Sequence, residues 1–343
     1  MCSNATVLFQ TPSSYCVTLQ DVLTNTVLVL LGLVIISLNS WILWVLFINR
    51  GRMDQINQFI VNLATCDLLI GVFVMYDVFY NMFQFKIFVE CMLREGFFIS
   101  VNLASVWTLA SLTCDRYLKI QHPFTYIKRF SKKRVQVILA VLWIMAFGIG
   151  TCPFFGWNTE DIWQICNFFG TMEKSYITFI MVLFAVPFLI MICAYIRIAK
   201  TAFVHLKAIQ KMECHSRDVP FCLHSWKAAK MAILIVGAYL ICWSPVGFFI
   251  AIVYTTDIEL SLSPLMSENV IFTYLLGIGI FNSILNPLIY ASNLDMVRKS
   301  AKNCWLVTCC RKLLTTTSTP VRPVTLRSDV SQETDNTRVS DCV

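Results

Sequence analysis

Residues 92–117 read MLREGFFISVNLASVWTLASLTCDRY, a mostly apolar run that opens beside Arg94 and Glu95 and closes on Asp115-Arg116-Tyr117. A helix needs about 20 apolar residues to cross a bilayer, and this run is long enough. Six more runs, near 24–48, 57–80, 134–155, 175–199, 228–254 and 269–291, meet the same criterion. Each carries a polar or helix-breaking mark at intramembrane depth: Asn39, Asp67, Trp143, Pro187, Trp243-Ser244-Pro245 and Asn286-Pro287. A charge at the centre of a bilayer costs roughly 3 kcal/mol on insertion scales, so residues that accept the cost are expected to act. The chain is therefore predicted to be an all-α membrane protein, a bundle of seven transmembrane helices.

Composition agrees with this. With 57% hydrophobic and 14% charged residues among 343, the chain is too apolar for an ordinary soluble domain. Basic residues cluster in the connections on one side (Arg50, Arg52, Lys128, Arg129, Lys132, Lys133, Arg134) and after the last span (Arg298, Lys299, Arg311, Lys312). The positive-inside bias then predicts an extracellular N-terminal tail over 1–23, a bundle over 24–291 and a cytoplasmic C-terminus in the plasma membrane. The +7 net charge reports that bias and contact with anionic lipid, and no motif points to nucleic acid. The segment 292–306 carries Leu294, Val297, Ala301 and Trp305 at helical spacing with basic residues between, which suits a short eighth helix lying on the inner leaflet. The polar, Ser/Thr-rich tail 307–343 is expected to be disordered.

Asn4-Ala5-Thr6 is a glycosylation sequon on the outer side. Cys304, Cys309 and Cys310 follow the expected eighth helix and are candidates for lipidation, with an ordinary reduced thiol as the alternative at each. All four histidines lie on the inner side, which leaves no histidine cluster within the membrane for a zinc site. No catalytic set is predicted, and the chain is not expected to be an enzyme.

At Asp115-Arg116-Tyr117 the chain resembles the rhodopsin-like family of G-protein-coupled receptors. The resemblance covers nearly the whole bundle, because the landmarks occur in order: Asn39, Asn62-Leu63-Ala64 with Asp67, Trp143, Pro187 with Tyr195, Cys242-Trp243-Ser244-Pro245, and Asn286-Pro287-Leu288-Ile289-Tyr290. It implies a switch read by a heterotrimeric G protein at Arg116, with Pro123 and Phe124 inserting from the second inner loop and arrestin and receptor kinases engaging the tail. Pro187, Pro245 and Pro287 each remove a backbone hydrogen bond, and Pro245 is a hinge for span six; a static kink is the plain alternative. The resemblance implies a disulfide between Cys91 and Cys166, with Phe168 as a lid over the bundle mouth. It also implies an allosteric sodium ion, the one cofactor expected, at Asp67, Ser105, Asn282, Ser283 and Asn286; a plain hydrogen-bond network is the alternative.

Within the family, Ala228-Ala229-Lys230, Ile235-Val236-Gly237, Gly156-Trp157-Asn158 and Tyr195-Ile196-Arg197 are most similar to the adenosine and melanocortin receptor branch. The ligand residues depart from it. Phe98 stands where amine receptors carry an aspartate, and Ile280 where opsins carry a lysine. Ile250, Phe169 and Gly279 replace the groups that adenosine would want. The expected pocket walls are Phe98, Ile99, Phe179, Leu183, Val246, Ile250, Phe272 and Leu276, with Asn102 and Trp243 as floor. Asp77, Arg94 and Glu95 at the mouth either form an internal salt bridge or pair a cationic ligand group. The expected ligand is a small extracellular molecule, aromatic, lipid-like or a cationic amphiphile. The rival readings are a non-signalling scavenger and a transporter.

Overall fold

The computed structural model describes residues 7–10, 16–52, 54–83, 87–122, 126, 131–159, 168–211, 219–256 and 268–302. The backbone divides into one compact unit, Met1–Ala301, and a second, Lys302–Val343. In the first, two short strands, β1 (Val7–Gln10) and β2 (Cys16–Thr18), pair antiparallel ahead of the helices. Seven long helices follow: α1 (Leu19–Ile48), α2 (Gln55–Phe83), α3 (Phe88–Gln121), α4 (Lys132–Gly150), α5 (Lys174–Lys211), α6 (Val219–Thr256) and α7 (Glu268–Asn293). All seven are long and apolar enough to cross a membrane. A short helix, α8, spans 295–302 with Val297 buried and Arg298 and Lys299 exposed, the amphipathic division expected there.

Helix ends differ from the expected spans where local chemistry outweighs hydropathy. α1 begins at Leu19 because Thr18 and Asp21 form a capping box: Thr18 Oγ1 accepts from Asp21 N at 3.2 Å while Thr18 N donates to Asp21 Oδ2 at 2.9 Å. α4 stops at Gly150, since Cys152-Pro153 cannot continue an α-helix; a 3₁₀ turn runs Cys152–Phe155 and closes on Gly156 at φ 108. α5 and α6 run on past the hydrocarbon width on the side of Lys211 and Val219, because backbone helix has no reason to stop where apolar side chains do.

α3 is the axis of the bundle, packing against α2, α4, α5 and α6. Buried polar groups bolt the helices together where water is absent. Trp143 Nε1 donates to Asn62 Oδ1 at 2.8 Å, and Asn62 Nδ2 donates to Thr108 Oγ1 at 2.8 Å, tying α4, α2 and α3. Asn39 Nδ2 donates to the Ser283 carbonyl at 3.0 Å, tying α1 to α7. Small residues bring backbones together: a Cβ on Gly71 would lie 2.8 Å from Ile36 Cγ1, and one on Gly150 would lie 2.5 Å from the Gly96 carbonyl oxygen. The opposite faces, with Trp44, Phe47, Ile144 and Ile241 exposed, present apolar side chains outward, as lipid contact requires.

Candidate functional site

Three polar layers lie along the bundle. The outermost surrounds Arg94. Its Nη1 is 2.9 Å from Asp77 Oδ1 and 3.0 Å from Glu95 Oε1, and its Nε is 3.2 Å from Glu90 Oε1 without hydrogen-bond alignment. The guanidinium carbon stands 4.0 Å from the centre of the Tyr80 ring, in cation–π contact. One guanidinium thus serves three carboxyls. Asp77, Arg94, Glu95 and Tyr80 form one wall of a cavity of about 820 Å³. The remaining walls are largely apolar: Phe98, Ile99, Phe184, Val246, Ile250, Phe272 and Leu276, with Asn102 and Trp243 lower down. Phe168 stacks on Phe272 with ring centres 5.4 Å apart, which lays it across the mouth.

Trp243 stands between most of this cavity and the middle layer, and the cavity reaches past it to Tyr239 and Leu240. Phe98 lies 6.5 Å from it and Tyr239 stacks beneath it at 5.9 Å, measured between ring centres. Gly279 gives Trp243 its seat: a Cβ there would meet the indole ring at 3.0 Å. Gly279→Ala is therefore expected to displace the indole, seen as a near-ultraviolet circular dichroism difference that vanishes in a Trp243→Phe background. A spectrum unmoved by Gly279→Ala would contradict the contact.

In the middle layer the buried Asp67 carboxylate accepts from Ser283 Oγ at 2.8 Å and from Asn286 Nδ2 at 2.9 Å. Ser105 and Asn282 are buried. Asn282 Oδ1, Asn286 Oδ1, and the hydroxyls of Tyr239 and Tyr290 are buried without a hydrogen-bond partner among the described residues. Native interiors rarely leave such oxygens unmatched. A lone carboxylate with neutral amide and hydroxyl oxygens is a donor set that fits a hard monovalent cation.

The inner layer is Asp115-Arg116. Arg116 Nε donates to Asp115 Oδ2 at 2.9 Å, with a second bond from its Nη2 to the same oxygen, and both residues are buried. The other carboxylate oxygen accepts from the Tyr126 hydroxyl at 2.7 Å, and Gln55 lies beside that hydroxyl. Burial, then the Asp115 carboxylate, push the Tyr126 hydroxyl well above its ordinary pKa, so it stays a donor. On the neighbouring face Arg197 Nη1 donates to the Tyr117 hydroxyl at 3.4 Å, and the Tyr195 hydroxyl accepts from Thr113 Oγ1 at 3.4 Å.

The family model for the 7 transmembrane receptor (rhodopsin family) matches residues 38–290. The chain belongs to that family. Adenosine receptor A2b of Rattus norvegicus is 30% identical to it over 256 residues, covering 68% of this chain and 75% of the relative. The 5-hydroxytryptamine receptor 4 of Cavia porcellus is 28% identical, covering 76% and 72%. Adenosine receptor A3 of Ovis aries is 25% identical, covering 80% and 87%. The receptor thus lies near the adenosine branch, and the family is one of receptors rather than enzymes.

Several expectations of the receptor's pocket need correction. Phe179 does not line the cavity; it is exposed and stacks on Trp157 at 5.5 Å. Leu183 does not line it either; it is half-buried and packs against the core cluster that holds Ile99 and Leu103. The cavity face of α5 is instead Ile177, Ile180, Met181, Phe184 and Phe188. The error has a physical source: lipid and bundle core are equally apolar, so a helix apolar all round gives no phase. Asp77 does point inward, and it forms the internal ion pair with Arg94. Glu90, four residues before Arg94, was missed although helical spacing alone brings it to its partner; Tyr80, three after Asp77, was missed because its contact with Arg94 crosses from α2 to α3. Tyr126 had no motif to reveal it.

Pro187, Pro245 and Pro287 lie inside α5, α6 and α7. Tyr290 is fully buried. Cys91 is disulfide-bonded; Cys166, its expected partner, lies outside the described residues. So do Asn4, Pro123, Phe124, Cys304, Cys309 and Cys310.

Proposed function

We propose that the receptor takes a small extracellular ligand into the cavity above Trp243 and, through the bundle, promotes nucleotide exchange on a heterotrimeric G protein at Arg116. The observation that carries this reading is the arrangement along α3. Phe98 and Asn102 line the cavity, while the same rigid helix ends in a buried Asp115-Arg116 pair 13 residues past Asn102, about 20 Å away at 1.5 Å per residue. A ligand shifts such a switch only by its differential affinity for the two states. The N-terminus is outside and the tail inside, where arrestin and receptor kinases engage it.

Asp77 and Glu95 share one guanidinium, and the walls beyond them are apolar, which supports a cationic amphiphile as ligand. Adenosine, the ligand in the relatives' name, is not favoured, since Ile250 and Gly279 offer it no hydrogen bond. Sodium at Asp67, with Ser105, Asn282, Ser283 and Asn286, favours the resting state by opposing the Asp67 charge.

GDP release from a panel of Gα subunits tests the reading, using purified receptor in nanodiscs. Acceleration by wild type and its loss in Arg116→Ala is the expected result; no acceleration of any Gα would sink the proposal. Ser225 stands at the foot of α6 where many relatives carry an acid that latches the arginine. A partly buried ion pair of that kind is worth about 1 kcal/mol, a severalfold change in a two-state equilibrium. Ser225→Glu is therefore expected to lower ligand-free exchange severalfold, and unchanged basal exchange would refute the missing latch.

A further inference from the structure

The cavity is not closed on all sides. Most of its lining is buried or half-buried, yet Ala185 of α5 and Phe248 and Ala251 of α6 line it while exposed on the outer surface of the bundle, Phe248 to 70%. Thr273, also exposed, belongs to the first turns of α7 at the mouth. The other three lie lower, on one seam. Phe249 marks the α7 flank of α6, its ring 6.5 Å from Phe272. The opposite flank faces α5: Met181 Cε is the one group within 4 Å of a Cβ placed on Gly247, at 3.9 Å. Ala185, Gly247 and Ala251 carry too little side chain to fill the space between the two helices.

We infer that the α5–α6 seam is a lateral opening through which the ligand's hydrocarbon chain passes between the cavity and the bilayer. Gly247 is nine residues from the end of α6 at Thr256, about 14 Å along the helix, which is within one leaflet. The surface around the opening, Val182, Val186, Leu189, Ile241 and Ile252, is exposed and apolar, continuous with the lipid-facing sides of the other helices. The medium outside the opening is therefore acyl chain, and water has no reason to fill it. A polar ligand would gain nothing from such an exit. An amphiphile would hold its head at Asp77 and Glu95 and leave its tail in the seam. This inference rests on the cavity as ligand site, and it narrows the ligand to a long-chain molecule.

Hexadecylamine carrying a diazirine on its terminal carbon is the probe, photolysed with full-length receptor in nanodiscs and mapped by mass spectrometry. Labelling of the segment 247–251 is expected to exceed that at Ile144, an equally lipid-exposed position on α4, by about tenfold, the preference given by 1.4 kcal/mol of differential binding. Gly247→Trp and, independently, Ala251→Trp fill the seam and should each remove the excess. Equal labelling at the two places, or an excess that survives both substitutions, overturns the opening. The matching hexadecanol probe separates the readings: if it labels the seam as strongly as the amine, the opening stands and the cationic-head assignment falls. GDP release is not part of this readout, so failure of coupling would leave it untouched.

Discussion

Arg94→Ala is expected to destabilise the receptor by about 3–5 kcal/mol, the usual cost of removing one partner from a buried ion pair. The side chain is 6% exposed, and three carboxyls lean on it, those of Glu95 and Glu90 being 10% and 14% exposed. Alanine strands Glu95 and Glu90 in a site with little water, while Asp77, 27% exposed, keeps part of its hydration. The Tyr80 ring loses its cation as well. The effect should be non-additive: Glu95→Gln, harmful or neutral alone, should recover part of the loss in the Arg94→Ala background, because it removes one of the stranded acids. Thermal unfolding midpoints of the four proteins in one detergent measure the cycle. A single-variant loss within about 1 kcal/mol, the range of exposed pairs, would mean that water reaches the cluster and the wall is not desolvated.

The second large effect lies where α3 meets α4. A Cβ on Gly150 would stand 2.1 Å from Ser100 Oγ and 2.5 Å from the Gly96 carbonyl oxygen. Ser100 can rotate, although it gives up its 2.6 Å bond to the same carbonyl. The carbonyl is helix backbone and cannot yield, so the helices must part. Gly150→Ala is expected to cost about 3 kcal/mol, the upper end for overpacking, and to lower the unfolding midpoint by roughly 6–12 °C. Gly148, two residues before Gly150 and on an exposed face of α4, has nothing within 4 Å of its would-be Cβ. There the same substitution should stabilise by up to about 1 kcal/mol through helix propensity alone. Equal responses at the two glycines would show that α3 and α4 do not touch as described. Parting them would also strain the Trp143–Asn62–Thr108 chain just inside the contact.

Much of this was legible because a membrane leaves few choices. Apolar runs of the right length gave seven helices, and a residue such as Asp67 or Arg116 inside one is costly enough to stand out as functional. Arg94, Glu95, Phe98, Asn102, Phe168, Trp243, Ile250, Phe272 and Leu276 were all read as pocket residues, and all line the cavity. Those on α3 and α7 lie on helices whose phase a buried polar residue anchors; Trp243 and Ile250 follow from the Trp243-Ser244-Pro245 landmark of α6, and Phe168 stands beside the landmark Cys166. α5 has Pro187 and Tyr195 but no buried charge in its outer half, and there the reading of Phe179 and Leu183 failed. Tyr126 escaped because its role depends on its hydroxyl reaching Asp115, eleven residues earlier, which no periodicity encodes.

By itself the sequence determined the number of helices, their order in the membrane and the residues too costly to be idle, because the penalty for burying charge and backbone is local and independent of neighbours. Only the tertiary structure decided which carboxyls share Arg94, which glycines let α3 and α4 meet, and where the cavity opens. Each of those depends on the rotation of one helix against another. In a bundle apolar both inside and out, close packing sets that rotation, and hydrophobic pattern does not.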